Sequence, residues 1–282
     1  MNGPRTRAQA IAEGMAHLSA AAVPGPERDA RLLYRWAAGM DGAALAAAIN
    51  DPAEAEELRR FQGAIAARAA RQPVSHILGH RIFWGRQFRV TPNVLDPRPE
   101  SETLIDTALA EPAGRVLDLG TGSGCLLVTL LLEWPGATGM GVDLSAAALA
   151  IAGENAAALG ASPRATFRRS DWFEAVDGVF DLIIANPPYL SAADMAEIAP
   201  ELRHEPAMAL SPGGDGLAAY RQIVARAAAH LTPGGRLLVE IGQRNGSDVS
   251  ALVEAAGLSE IRVVQDMDGR DRVVGCRSAT ES

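Results

Sequence analysis

Apolar positions along the chain follow two periods, and the change between them divides the sequence. Over residues 1 to about 72 they recur at three- and four-residue spacing. "RTRAQAIAEGMAHL", "PERDARLLYRWAAGM" and "DPAEAEELRRFQGAIAARAA" show it, and the pattern predicts amphipathic helices throughout. Asp51-Pro52 followed by acids predicts a helix start, with a capping side chain, proline in the first turn and negative charge at the positive dipole end. Residues 1–74 are therefore expected to form a helical bundle domain, serving substrate recognition more than catalysis. Then "HRIFWGRQFRVTPNVLDPRPE" alternates around Gly85, so 75–100 reads as a β-hairpin and a proline-rich linker.

From 101 to 282 short apolar runs alternate with helical stretches. Strands are predicted at 115–119, 138–142, 165–169, 180–185, 236–241, 260–264 and 272–276. Helices fill most gaps, notably 125–133, 146–159, 216–230 and 247–256. Such alternation predicts an α/β fold with a mostly parallel sheet covered by helices on both faces. Only "QDMDGRD" separates the last two strands, too short for a crossover, so they are expected to pair antiparallel. The expected architecture is a seven-stranded, doubly wound, Rossmann-like sheet with a hairpin at one edge.

Composition narrows the functions available. The 282 residues carry a net charge of −8, and all 26 basic residues are arginines. That balance argues against a surface built for nucleic acid. Cys125 and Cys276 lie far apart with no CxxC pair, which argues against a disulfide framework and fits a reducing, cytoplasmic setting. The longest apolar run, "CLLVTLLLEW", is too short to span a bilayer, so no membrane association is expected. The first residues lack a secretory apolar core and read as an amphipathic helix. His76 and His80 lie four apart without a third ligand, so no metal is predicted.

Candidate chemistry gathers at strand ends. In "VLDLGTGSGCLL" a strand containing Asp118 runs into Gly120, Thr121, Gly122, Ser123 and Gly124 before a helix begins, a turn suited to close approach of a ligand. Asp143 closes the next strand, where an acid accepts hydrogen bonds from ribose hydroxyls. The glycine spacing is not that of a dinucleotide fingerprint and the chain has no lysine for a P-loop, so a nucleoside without pyrophosphate fits better. Asp171 ends a third strand, placed to accept from an adenine amino group, with Trp172 either beside the ring or filling core. "DLIIANPPYLS" ends the fourth: Pro187 and Pro188 cannot donate to a ladder, so the strand stops in a rigid elbow at Asn186. All four ends converge on one mouth in a doubly wound sheet.

Glycine loop, ribose acid and "NPPY" together resemble a class I S-adenosylmethionine-dependent methyltransferase acting on a planar nitrogen. "QPVSHILGHRIFWGRQFRVTPNVLDPRPESETLI", "RHEPAMALSPGGDGLAAYRQI", "VEIG" and "DMDGRDRVV" resemble the HemK/PrmC family of release factor glutamine methyltransferases over residues 70 to 277. Asp96 stands where that family commonly has an aliphatic residue, and Ser101 where threonine is usual. The resemblance implies methyl transfer from S-adenosyl-L-methionine to the glutamine amide of the GGQ motif of class I release factors, leaving S-adenosyl-L-homocysteine. It also implies a monomer needing no metal and binding no nucleic acid directly. Asn186 and Pro187 would be the catalytic acceptors, with Pro188 and Tyr189 flanking the substrate amide. Asp118, Gly120, Thr121, Gly122, Ser123, Gly124, Asp143, Asp171, Trp172 and Asn186 would meet the cofactor. A ribosomal-protein glutamine methyltransferase, a DNA adenine methyltransferase and a non-catalytic S-adenosylmethionine-binding module remain the other readings.

Overall fold

A computed structural model describes residues 5–280. The chain forms two compact units. One comprises the residues up to Gly79 together with Ala199–His204, and the other His80–Ile198 and everything from Glu205 onward.

The first unit holds α1 (Arg7–Ala20), α2 (Pro26–Ala38), α3 (Gly42–Ala47), α4 (Ala55–Ala69) and α5 (Val74–Leu78). Leu18, Ala30, Leu33, Tyr34 and Phe61 pack its core, the spacing that the apolar pattern requires. Beside them Glu57 accepts hydrogen bonds from Arg7 (2.9 and 3.2 Å) and Tyr34 (3.0 Å), so this buried carboxylate is paired and its pKa is lowered against the opposing effect of burial. The expected start at Asp51-Pro52 is displaced. Pro52 bridges to Thr6, Ala53 N–H bonds to Arg5 C=O, and α4 begins after Glu54, whose capping box with Glu57 satisfies the first turn.

In the second unit β1 (His80–Phe83) and β2 (Arg86–Arg89) form an antiparallel hairpin. β3 (Arg115–Leu119), β4 (Thr138–Asp143), β5 (Ala165–Arg169), β6 (Phe180–Ala185), β7 (Leu231–Glu240), β8 (Ser259–Gln265) and β9 (Asp271–Arg277) form one sheet in the order β5-β4-β3-β6-β7-β9-β8. The five strands from β3 to β7 are parallel, while β9 runs antiparallel to both neighbours. The α/β class, the seven strands and the antiparallel final hairpin are as the sequence pattern predicts.

The remaining helices are α6 (Glu102–Leu109), α7 (Cys125–Glu133), α8 (Ala146–Ala158), α9 (Ala192–Ala196), α10 (Ala207–Leu210), α11 (Ala218–Ala227) and α12 (Gly246–Ala255). Leu104 and Ile105 of α6 and the apolar face of α7 cover one side of the sheet, over Leu182, Ile184 and Leu238. Tyr220 and Ile223 of α11 with Val249 of α12 cover the other, over Ile183, Ala185 and Val239. Alternation of neighbouring residues between two apolar layers is why these strands read as continuous hydrophobic runs. The strand order reverses at β3, between β4 and β6, so a crevice opens at the C-terminal ends of β3 and β6.

Candidate active site

The crevice holds a cavity of about 340 Å³. Seven of the candidate residues line it: Gly120, Gly122, Asp143, Asp171, Trp172, Asn186 and Pro188. Asp118, Thr121, Ser123 and Gly124 support the loop instead, and all four are buried. Thr121 Oγ1 donates to Asp118 Oδ2 at 2.6 Å, and Thr121 N–H bonds to Val142 C=O, which ties the loop to the neighbouring strand. Gly124 has φ +78°, and a Cβ there would stand 3.1 Å from that of Ala152, so glycine lets α7 begin against α8.

Asp143 is half-buried at the end of β4. Its Oδ2 accepts from Gly122 N–H and its Oδ1 from Ser145 N–H, each at 2.9 Å. The cap of α8 is Ser145, not Asp143: the Ser145 hydroxyl accepts from Ala148 N–H. Asp143 thus joins the glycine loop to the mouth, and each oxygen keeps a lone pair for a further donor.

Trp172 packs against the core layer of α11 and also lines the cavity. It has φ +46°, a left-handed backbone costly for a tryptophan. Ser170 holds it, donating from its hydroxyl to Trp172 C=O at 2.8 Å while accepting from Ala175 N–H. Asp171 is exposed at the rim.

The elbow after β6 is fixed on both sides. Asn186 Nδ2 donates to Ser101 Oγ at 3.1 Å. Leu190 N–H bonds to Leu210 C=O at 3.0 Å, and the Ser211 hydroxyl donates to Leu190 C=O. Pro187 is buried, whereas Asn186, Pro188 and Tyr189 are half-buried. Burial, with Glu240 nearby, raises the Tyr189 pKa and keeps the phenol neutral.

Several lining residues carry no motif: Asn93, Val94 and Leu95 from the proline-rich stretch, Met208 from α10 and Gln222 from α11. The charges flanking them have structural partners. Arg98 donates to Glu205 Oε1 at 2.6 Å, and Asp96 N–H bonds to Glu205 Oε2 at 3.3 Å. Asp96 itself lies 3.7 Å from Arg81 and 3.8 Å from Arg98, which compensates an acid buried in place of an aliphatic residue. His204 lies in the helical unit, its Nε2 3.3 Å from Ala70 C=O.

Among the described residues no group of three His, Cys, Asp or Glu side chains is arranged to hold a metal, and no helix is long and apolar enough to cross a membrane.

Known proteins match this arrangement. The PrmC N-terminal domain family matches residues 9–79, and the methyltransferase small domain family matches residues 95–218. A methyltransferase from Pyrococcus furiosus shares the fold at a TM-score of 0.54 and 15% identity, over 70% of this chain and 91% of that one. The release factor glutamine methyltransferase of Rhodospirillum rubrum is 44% identical over 94% of this chain and 82% of its own length. That of Cereibacter sphaeroides is 57% identical over 96% of this chain and 98% of its own. Identity at that level across nearly both whole chains shows that this chain belongs to the release factor glutamine methyltransferase family.

Proposed function

We propose that the chain transfers a methyl group from S-adenosyl-L-methionine to the side-chain amide nitrogen of a glutamine in a peptide chain release factor, that of the GGQ motif in class I factors. The relatives are named for the release factor substrate. The observation that carries the chemistry is the Asn186 side chain: with Nδ2 committed to Ser101, its Oδ1 is left as an acceptor at the mouth.

The residues present fit the cofactor. Asp143 presents free lone pairs at the β4 end, Asp171 stands at the rim, and the Trp172 indole offers a flat apolar wall. Gly120 leaves the wall open, since even a Cβ there would meet Trp172 only at 3.8 Å. S-adenosyl-L-methionine supplies an electrophilic sulfonium methyl. Asp118, Thr121, Ser123 and Gly124 act behind this surface by holding the loop.

A glutamine amide is a weak nucleophile because its lone pair is shared with the carbonyl. Asn186 Oδ1 and the Pro187 carbonyl accept its two N–H bonds, steering the nitrogen lone pair toward the methyl carbon. As the N–C bond forms and the C–S bond breaks, those acceptors stabilise the positive charge arriving on nitrogen. One N–H proton then leaves to water, so no strong base is required of the site. Pro188 and Tyr189 flank the planar amide. Such positioning supplies up to about 7–11 kcal/mol in favourable cases. The helical domain, 1–74 by sequence, grips the protein substrate while the hairpin and linker of 75–100 lead into the catalytic domain of 101–282. The enzyme works in the cytoplasm as a monomer, without metal and without direct contact to nucleic acid.

Incubation with methyl-labelled cofactor and purified release factor, ribosomes or DNA tests the reading. Label is expected on a release factor glutamine, located by peptide mass spectrometry; label in ribosomal protein or DNA alone overturns it. Asn186→Ala is expected to lower kcat far more than cofactor affinity, and near-normal turnover in that variant refutes the acceptor role.

A further inference from the structure

Asn186 and Glu240 end neighbouring strands. Ala185 of β6 pairs with Val239 of β7, so the next residues, Asn186 and Glu240, stand side by side. Ile184 and Leu238 belong to the α6 layer and Ala185 and Val239 to the α11 layer. Alternation therefore returns Asn186 and Glu240 to the α6 face. Ser101, the residue directly before α6, meets Asn186 there: it is 2% exposed and accepts the Asn186 Nδ2 hydrogen bond.

Glu240 is an unusual residue for that position. It is 1% exposed, and its Oε2 has no hydrogen-bond partner. Burial raises its pKa to about 7, while the Ser101 hydroxyl, the largest opposing influence, favours its charged form. Nothing in the amide chemistry described above uses this acid. A buried carboxylate with an unpaired oxygen is costly, and an apolar residue would be the default there.

Its value follows from the ambiguity of its neighbour. A serine hydroxyl both donates and accepts, and an asparagine amide presents an oxygen or, turned over, an NH₂ group. Ser101 alone would accept either orientation of Asn186. Only one of them is useful, because an NH₂ group facing the substrate amide would set donor against donor. A carboxylate only accepts. Were the neighbouring Glu240 to take the hydroxyl proton, Ser101 would have only lone pairs to offer, and Asn186 would have to turn its NH₂ inward, as it does in the bond to Ser101, and its Oδ1 outward.

We propose that Glu240 and Ser101 are positioning residues that set the polarity of the Asn186 side chain, fixing its oxygen toward the substrate. This deepens the acceptor role given to Asn186 and rests on it.

The test compares Ser101→Ala, Ser101→Thr, Glu240→Leu and Asn186→Ala in the full-length protein with release factor as substrate, above neutral pH, reading kcat, KM, cofactor Kd and Tm. Loss of one orienting hydrogen bond is expected to lower kcat about tenfold in S101A and in E240L, with KM and cofactor Kd within about twofold. S101T keeps the hydroxyl and is expected to recover most of that loss. A merely steric role predicts the reverse, since alanine fits a buried serine site and the extra methyl does not. E240L removes a buried acid and is expected to keep or raise Tm while turnover falls, which separates orientation from folding. In the N186A background, S101A is expected to cost no further turnover. Wild-type turnover in S101A, or S101T no better than S101A, overturns the proposal. If N186A alone is impaired, the polarity device fails and the acceptor role stands; if N186A turns over normally, both fall.

Discussion

Asp118 offers a direct measurement of what the mouth costs the fold. Its side chain is 0% exposed, Oδ2 accepts from Thr121 and Oδ1 has no hydrogen-bond partner. Burial, helped by Asp143, pushes its pKa from 3.8 up to about 7 against the Thr121 hydrogen bond. In the unfolded chain the carboxyl ionises near 3.8, whereas the folded protein keeps its proton until about 7. Between those values the native state binds the extra proton, so stability falls as pH rises. The slope is about 1.4 kcal/mol per pH unit, and the whole loss about 4 kcal/mol, complete once pH exceeds the folded value. Asp118→Asn removes the titration. It adds a pH-independent offset of about 1–3 kcal/mol, because an NH₂ group then fills one of the two oxygen positions. The informative quantity is therefore the difference between variant and wild type across pH, in which the other carboxylates cancel. Urea unfolding of cofactor-free protein followed by tryptophan fluorescence reports it, since Trp84, Trp134 and Trp172 all lie in the catalytic unit. Asp118→Asn is expected to gain on wild type steadily from acid to neutral pH. A difference that stays flat over that range refutes the buried, proton-holding state.

Asp143→Ala removes both acceptors that hold Gly122 and Ser145, together with the lone pairs proposed to meet the ribose. Cofactor Kd by calorimetry is expected to rise about tenfold to a hundredfold, and an unchanged Kd removes Asp143 from the site. Gly216→Ala is expected to disturb the elbow, because its Cβ would fall 2.4 Å from Tyr189 C=O at φ +80°. Gly214→Ala, at φ +58° with nothing within 4 Å of the added Cβ, is the control. It carries only the backbone strain of about 1–3 kcal/mol, so equal losses of Tm and kcat in the two variants refute the close-approach argument.

The central strands β3 and β6 are legible because both their faces are buried, so each is a short, largely apolar run that ends in glycine or proline. β3, β5 and β6 fall where the pattern places them. β7 instead begins at Leu231, five residues earlier than the pattern gives, because "TPGG" stays in the sheet through an irregularity opposite Phe180. A proline and two glycines argue locally for a turn, and only the neighbouring strand overrides them. The start of α4 was missed for a similar reason: Pro52 is drawn to Thr6, 46 positions away in sequence. In the site, the strand ends were legible because a doubly wound sheet brings them together whatever the loops do. Asn93, Met208 and Gln222 come from loops and helices whose placement no period encodes. Ser101 is 85 residues from Asn186, and a serine before a helix reads first as a cap. In the structure it caps nothing by its side chain. That missing cap is the one local hint that its hydroxyl serves elsewhere.

Three departures from ordinary packing lie at the C-terminal ends of the central strands or in the loop after β5: the unpaired oxygens of Asp118 and Glu240 and the left-handed backbone of Trp172. Each would be relieved by a common substitution, a leucine for either acid or a glycine for the tryptophan. They share a chemical logic. In the proposed reaction a cationic methyl donor is held beside an amide that becomes cationic as it reacts, and no strong base is called for. Asp118 and Glu240 lie behind the cavity wall rather than in it, and burial raises both pKa values to about 7, so they favour positive charge at the mouth only in their ionised forms, above neutral pH. In the proposed reaction the elbow prolines keep the Asn186 and Pro187 acceptors still, since a flexible pair would reorient at the moment charge appears. On that proposal a glycine-rich loop, a lone acid and a rigid Asn-Pro-Pro-Tyr would suffice. Methyl transfer to an amide needs alignment and a tolerant electrostatic field more than it needs proton abstraction, and residues that hold shape at a cost in stability are what supply both.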